Sequence, residues 1–239
     1  MASICRLNFI LLFWVFLITF NCTKNSTAPQ PERPDRPKFV AKSLDNAVYE
    51  SGIDAVPEGN GIFIHWYLPQ ANRIQWIKIY RKTEYEEEYQ FLASVDYSDT
   101  LYVDYDVELD LRYFYFLKAV DFKKIESLAS DTVNYRLYPK ANGLHATAQP
   151  RPVFAWQYQS LPPIGYLLRL EEEASANVVW LSFVESYDLL NQVEFNWDGK
   201  ARLDSLQLGN RYRWRIDVLG ADLFSGSESN WKLLLLVRE

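Results

Sequence analysis

The chain has 239 residues, a net charge of −6 and an aromatic content of 16%. That length accommodates one large domain or two ordinary ones. Phosphate binding needs clustered Lys and Arg, and the sequence has no such block, so nucleic acid is not expected as a partner. The abundant Tyr, Phe and Trp favour half-buried strands.

The first 21 residues have the organisation of an export signal. Arg6 precedes an apolar run, Leu7–Phe20, that only Asn8 and Thr19 interrupt. The run is shorter than the roughly 20 residues that a helix needs to cross a bilayer, and its length suits the apolar region of a secretory signal. The sequence therefore predicts a signal peptide over residues 1–21.

The end of this signal, Thr19-Phe20-Asn21-Cys22, resembles the processing site of bacterial lipoproteins. In that family, cleavage precedes a cysteine whose thiol carries a diacylglycerol. The resemblance implies that Cys22 is the lipid attachment site, that the membrane is a partner, and that the protein is anchored in the outer membrane or at the cell surface. Two alternatives stay open: cleavage after Ala28, which would release a secreted protein, and a free Cys22 thiol beyond an uncleaved anchor.

Residues 22–37 are predicted to form a proline-rich linker. Its four prolines are Pro29, Pro31, Pro34 and Pro37. Such a segment cannot form a helix or a central strand, and it favours an extended polyproline II spacer. Cleavage before Cys22 removes Cys5, the only other cysteine, so the remaining domains are expected to fold without an internal disulfide.

Residues 38–140 contain short alternating strands separated by turn formers. In Gly61–Tyr67, the side chains of Ile62, Ile64 and Trp66 share one face. Further strands are predicted over Ile74–Arg81, Tyr113–Asp121 and Thr132–Tyr138. Strands at this spacing, without helical periodicity, predict an antiparallel β-sandwich.

Residues 141–239 repeat the pattern. Alternating strands are predicted over Val153–Trp156, Tyr166–Leu170 and Tyr212–Val218, and the turn formers of Pro139–Gly143 mark the boundary between the halves. Each half has roughly the 100 residues of one sandwich. The predicted fold class is therefore all-β, with two tandem immunoglobulin-like β-sandwiches.

Two motifs, each present once in each half, resemble those of the fibronectin type III domain. The first is a tryptophan two residues after an apolar residue in the second strand, here Trp66 and Trp156. The second is a tyrosine six residues after an aliphatic residue, here Tyr113 and Tyr212. The resemblance implies that these four residues are structural core, and that each tyrosine hydroxyl bonds backbone upstream in a "tyrosine corner".

No catalytic, cofactor-binding or metal-binding residue is predicted. His65 and His145 are the only histidines, too few for zinc coordination, and a sandwich strand is a poor place for a catalytic triad. The acidic runs Glu86–Glu88 and Glu171–Glu173 lack the spaced Asp and Gly of a calcium loop, so solvated loops are expected. Asp104 is expected to hold a turn.

Three further tryptophans, Trp76, Trp180 and Trp197, are candidate ligand contacts. Exposed aromatic rings stack on sugars or act as protein hot spots, and the alternative is that these rings pack between sheets or domains.

The sequence predicts a non-enzymatic cell-envelope lipoprotein that presents two sandwiches for protein binding, adhesion or scaffolding. Its expected partner is an envelope or extracellular protein. The alternative is a secreted carbohydrate-binding accessory protein of polysaccharide breakdown, with a glycan as partner.

Overall fold

The structure, a computed structural model, describes residues 32–67, 73–185 and 190–236. The predicted signal peptide, Cys22 and most of the predicted linker lie outside the described residues. In the described ranges all regular structure is β, which confirms the all-β prediction. No helix in those ranges is long and apolar enough to cross a membrane.

The strands divide between the two halves of the chain. The first half contains β1 (Asp54–Ala55), β2 (Ile62–His65), β3 (Ile74–Thr83), β4 (Gln90–Asp96), β5 (Leu101–Asp104), β6 (Arg112–Asp121) and β7 (Val133–Leu137). The second half contains β8 (Asn142–Ala146), β9 (Val153–Gln157), β10 (Gly165–Glu172), β11 (Val178–Glu185), β12 (Leu190–Glu194), β13 (Arg211–Leu219), β14 (Ser225–Glu228) and β15 (Lys232–Leu235).

Each sandwich has a small sheet of its own, and both contribute to one large sheet. The small sheets have the orders β1-β2-β5 and β12-β9-β8. The large sheet has the order β11-β10-β13-β14-β7-β6-β3-β4, and β15 also pairs with β13. Among the described strands, only β14 and β7 pair in parallel, and this pair joins the second sandwich to the first.

Alternation along the strands builds two separate cores. In β2, Ile62 and Ile64 are buried while Phe63 and His65 are half-buried on the other face, and Trp66 continues the buried side. The first core uses buried residues from Ile53 to Leu137 and the second uses residues from Ala141 to Leu236. The short connection between the two cores contains Tyr138, Pro139 and Lys140. From Arg33 onward, the described residues nevertheless form one compact unit.

The joint between the sandwiches is a short backbone ladder. The N–H of Arg136 donates to the carbonyl of Phe224, and the N–H of Tyr138 donates to that of Gly226, both at 2.9 Å. At Gly226, which has a φ of 154°, a Cβ would lie 2.4 Å from the carbonyl oxygen of Val218. Any side chain there would separate β14 from β13, so glycine is required at the joint.

Strand β13 is buried on both faces. Its alternation predicts that Tyr212, Trp214 and Ile216 point inward, with charged residues between them. The inward residues are buried as expected, but Arg215 and Asp217 are buried as well. A segment of the first sandwich covers that outer face, which a pattern local to β13 cannot indicate.

The two acidic runs differ from each other. Glu86–Glu88 are exposed between β3 and β4, as expected for a solvated loop. The expectation is wrong for Glu171, which lies inside β10, is buried, and accepts a 2.7 Å hydrogen bond from Arg213. Strand β10 pairs with β13 as far as Glu172, so the strand includes residues that the sequence suggested were loop.

Candidate binding site

Both predicted tyrosine corners are present. The rings of Tyr113 and Tyr212 are buried in the two cores. The N–H of Glu108 donates to the hydroxyl of Tyr113 at 2.9 Å, and the N–H of Gln207 donates to that of Tyr212 at 3.1 Å. In each sandwich the hydroxyl therefore binds backbone five residues upstream. Trp66 and Trp156 are fully buried in the same two cores.

Asp104 forms a buried polar centre in the first sandwich. Its carboxylate accepts hydrogen bonds from the Tyr115 hydroxyl at 2.9 Å and from Arg81 at 2.8 Å. It also accepts from the N–H of Asp106 at 3.1 Å, which is the expected turn-holding bond. Burial, with the Asp104 charge, raises the pKa of Tyr115 well above its usual range. These groups satisfy one another and leave no reactive group free for chemistry.

A second polar centre holds the two sandwiches together, and we call it the junction cluster. Arg215 on β13 is its centre, and it donates to Asp217 and Glu228 of the second sandwich at 2.7 and 2.8 Å. It also donates to Glu50 of the first sandwich, which pairs with Arg169 at 3.0 Å as well. The cluster therefore links side chains from both sandwiches.

Backbone groups reinforce this link. Arg169 on β10 donates to the carbonyl oxygens of Ala47 and Val48 at 2.7 and 3.1 Å. On the first-sandwich side, Tyr135 donates to Asp54 at 2.9 Å, and Asp54 also pairs with Lys42. Charged groups that are buried and partnered in this way resist separation, because exposing one side leaves the other uncompensated.

The junction cluster has the composition of a cation site, but a guanidinium occupies it. Carboxylate oxygens of Glu50, Asp217 and Glu228 lie within 4.8 Å of one another. Arg215 bonds all three, and its guanidinium lies 4.8 Å from the centre of the Trp231 ring. The adjoining cavity is only about 10 Å³, the space of roughly one water. The arrangement is structural and leaves no room for a substrate.

Trp180, proposed as a ligand contact, is a core residue. Its side chain is 1% exposed, and it packs against Phe154 and Phe195. Its indole N–H donates to Asp198 at 2.8 Å. The candidate assignment of Trp180 is therefore wrong, because β11 turns this ring toward the second core, where no ligand reaches it.

Trp197 and Trp76 are exposed, at 57% and 40%. Trp197 lies in the turn after β12, and Trp76 lies on the outer face of β3. Trp76 belongs to the first sandwich and Trp197 to the second. The two tryptophans thus mark two separate surfaces.

The surface around Trp197 is concave, and we call it the Trp197 groove. It lies between β11 and β12, has a volume of about 620 Å³, and is lined by Phe183–Glu185, Gln192–Glu194 and Trp197. Strand β11 is the last strand of the large sheet and β12 is the last strand of a small one. The groove therefore follows the open side of the second sandwich.

Both exposed rings of the Trp197 groove are held in place. The indole N–H of Trp197 donates to the hydroxyl of buried Ser182 at 3.0 Å, and that hydroxyl donates to Asp198 at 2.9 Å. The Phe183 ring, 43% exposed, lies against Gly165, where a Cβ would be 2.5 Å from a ring carbon. The rings are thus exposed to solvent and yet fixed.

A second exposed surface was missed by sequence reasoning: the aromatic–lysine face, formed by outward side chains of β3 and β6. Tyr80 and Phe116 stack at 4.8 Å, with Lys118 5.5 Å from the Tyr80 ring centre. Glu126 accepts from Lys78 at 2.7 Å and from Lys118 at 3.0 Å. Alternation of aromatic residues and lysines in both strands was the available signal.

The chain was compared with family models, with curated proteins and with solved structures. No family model matches the sequence, and no curated protein does. Similar solved structures include the FN1-FN3 domains of chicken CNTN1, at 12% identity and a TM-score of 0.38, over 86% of this chain and 69% of that one. A two-domain fibronectin type III segment of chicken tenascin is similar at 12% identity and 0.34, over 83% and 97%.

A third similar structure is a β-1,2-glucanase from Parabacteroides distasonis, at 27% identity and a TM-score of 0.33. The match covers 45% of this chain, and the chain spans only 14% of that protein. The fold class predicted from the sequence is confirmed by the strands themselves: the described residues form an all-β chain of two tandem β-sandwiches, each with a tyrosine corner.

Proposed function

We propose that the chain is a non-enzymatic lipoprotein of the cell envelope that presents two rigidly joined sandwiches to an envelope or extracellular protein. The observation that carries this proposal is the joint between the sandwiches. Strands β14 and β7 continue one sheet through both halves, and the junction cluster locks the same joint with buried charges. A fixed geometry of this kind suits a scaffold or adhesion protein that contacts one partner with both sandwiches.

Rigidity has a thermodynamic advantage for this role. Two independently moving domains lose orientational freedom when both contact one partner, and that loss weakens binding. Here the two sandwiches are already ordered relative to each other. Their buried charged groups, including Asp104 and Arg215, are engaged in structural pairs, which supports a binding role rather than catalysis.

The proposed anchor is acylated Cys22, with the proline-rich residues 22–37 as spacer. The first sandwich begins close behind this spacer, since Phe39 forms a bridge with Trp66. One acyl chain binds a membrane weakly and reversibly, but the several chains of a lipoprotein anchor it stably. A protein anchored in this way would bind its partner at the membrane surface.

Cell fractionation and N-terminal mass spectrometry test the anchor, with Cys5 as matched control. The native chain is expected in the membrane fraction, with an N-terminal peptide that begins at Cys22 and carries diacylglycerol. Cys22→Ser is expected to lose the lipid and leave the membrane fraction, whereas Cys5→Ser keeps both. An unmodified N-terminus near Pro29, with the protein in the medium, would contradict the envelope role.

One observation favours a second candidate function, that of a secreted carbohydrate-binding accessory protein. The Trp197 groove combines exposed, fixed aromatic rings with polar side chains, which is the composition of a small-ligand site. A carbohydrate-binding protein needs aromatic rings that a sugar can reach, and Trp197 and Phe183 are both exposed. Its test is a direct measurement of glycan binding.

A further inference from the structure

The Trp197 groove has the size and position of a ligand site. Its volume of about 620 Å³ falls within the roughly 300–1,000 Å³ that is usual for small-molecule sites. It is formed where the two sheets of the second sandwich both end, so neither β11 nor β12 has a neighbouring strand on that side among the described residues. No described strand therefore covers that side of the groove.

The two rings of the groove are preorganised. Trp197 is held through Ser182 and Asp198, and Phe183 is held against the backbone of Gly165. A freely rotating exposed ring loses rotamer freedom when it packs on a ligand, whereas a fixed ring does not. Buried hydrogen bonds that fix an otherwise solvent-exposed indole are what a recognition surface requires.

The polar lining selects the kind of ligand. Glu185 and Glu194 supply carboxylate acceptors, and Gln192 supplies an amide that both donates and accepts. Among the described lining residues there is no Lys or Arg; Arg151, outside the lining, pairs with Glu194 at 3.2 Å and offsets its charge. The Glu185 carboxylate repels an anionic ligand, and both carboxylates accept hydrogen bonds from hydroxyl groups. Aromatic faces, meanwhile, suit the apolar C–H face of a sugar ring.

We propose that the Trp197 groove binds a neutral carbohydrate, which stacks on Trp197 and Phe183 and donates hydroxyl hydrogen bonds to Glu185 and Glu194. The inference rests on the second candidate function for its ligand class. It does not depend on acylation of Cys22, because a secreted and an anchored chain carry the same groove.

A peptide strand or a second copy of the chain fits the groove less well. Only Phe183–Glu185 of the eight-residue edge strand β11 line the groove, about 10 Å of strand, so a peptide strand added to that edge would lie mostly outside the groove. A glutamate at the end of this stretch also opposes edge-to-edge pairing. A compact polyol matches the length and the charge of the lining.

Screening the full-length chain, purified in detergent, on an array of neutral and acidic glycans tests the proposal. Binding is expected to neutral glycans only, and calorimetric titration of the best neutral ligand gives its dissociation constant. Trp197→Ala and Phe183→Ala are each expected to weaken that binding by about tenfold or more, as lost ring contacts imply. Trp76→Ala, which removes an exposed tryptophan on the other sandwich, is the control and is expected to bind normally.

Thermal melting of each variant separates lost binding from lost folding, and Glu185→Gln provides a variant that leaves both rings in place. It is expected to weaken binding without changing the melt. Three outcomes would overturn the proposal: no binding to any neutral glycan, preference for acidic glycans, or equal binding by folded Trp197→Ala and Trp76→Ala proteins. Concentration-dependent dimerisation that Trp197→Ala abolishes would assign the groove to a second copy instead.

Discussion

At the scale of single residues, two hydroxyl groups hold equivalent positions in the two sandwiches. The hydroxyls of Tyr113 and Tyr212 each accept one backbone N–H, from Glu108 and Gln207. Tyr113→Phe and Tyr212→Phe keep the buried ring but leave that N–H without its acceptor. Each substitution is expected to lower the free energy of unfolding by about 1–1.5 kcal/mol.

Urea titration followed by fluorescence measures this loss. Tyr85→Phe is the matched control, because the Tyr85 side chain is exposed and its hydroxyl is free to bond water. The control is expected to unfold at the native midpoint. If Tyr113→Phe and Tyr212→Phe also unfold there, the corner hydroxyls contribute nothing and the backbone crossing is held by packing alone.

Buried tryptophans show why residue type alone does not identify a site. Trp156 and Trp180 are both buried, yet the N–H of Trp156 has no hydrogen-bond partner while that of Trp180 donates to Asp198. Trp197, in the turn after β12, is exposed, and its indole N–H donates to the hydroxyl of Ser182. The three roles differ because Trp156 lies on the central strand β9, Trp180 on the edge strand β11 and Trp197 in a turn, each with different neighbours.

At the scale of elements, β14 carries the connection between the sandwiches. Gly226→Ala is expected to disrupt it, because the new Cβ would clash with the carbonyl oxygen of Val218 on β13. Hydrogen exchange is expected to accelerate at the N–H groups of Arg136 and Tyr138, which donate to β14 and its entry turn.

Gly209→Ala is the control for this experiment. Gly209 also has a positive φ, of 86°, but nothing lies within 4 Å of a Cβ built there. The Gly209→Ala variant is therefore expected to have backbone strain at residue 209 but native protection from hydrogen exchange at the N–H groups of Arg136 and Tyr138. Equal protection in Gly226→Ala and the native protein would mean that the joint does not depend on close approach of β14 and β13.

At the scale of the whole molecule, the junction cluster makes stability depend on pH. Burial raises the pKa of Glu228 well above its ordinary 4.5; Arg215 opposes that rise, and Asp217 and Glu50 add to it. The folded protein therefore holds a proton that the unfolded chain has already released. The stability that this protonated Glu228 carboxyl contributes is fully present below the pKa that Glu228 has in the unfolded chain. It is lost as the pH rises through the pKa that Glu228 has in the folded protein.

The free energy of unfolding is thus expected to fall as the pH rises above about 4.5, the ordinary pKa of the Glu228 carboxyl, by at most about 1.4 kcal/mol per pH unit for each proton. In Glu228→Gln, which keeps an acceptor for Arg215 but does not titrate, the slope is expected to flatten. Glu126 has a lowered pKa and so acts below this range. A flat profile in the native protein, or an unchanged slope in Glu228→Gln, would contradict the prediction.

Much of the fold could be predicted because it depends on local patterns. Strands β2, β6, β9 and β13 follow alternation of apolar side chains, and the core tryptophans and corner tyrosines follow fixed spacings within one sandwich. The strands that were not identified are β1, β4, β5, β8, β11, β12, β14 and β15. Most of them have five residues or fewer, which is too few for an alternating pattern to stand out.

The sequence by itself determined the all-β class, the two sandwiches, and the core tryptophans and corner tyrosines, because periodicity of two and turn chemistry act over a few neighbouring residues. Only the tertiary structure decided the burial of Arg215, Glu228 and Trp180 and the pairing of β14 with β7. It alone also brought Phe183 and Trp197 into one groove. Those outcomes depend on surfaces from separate parts of the chain meeting, and no local pattern contains that information.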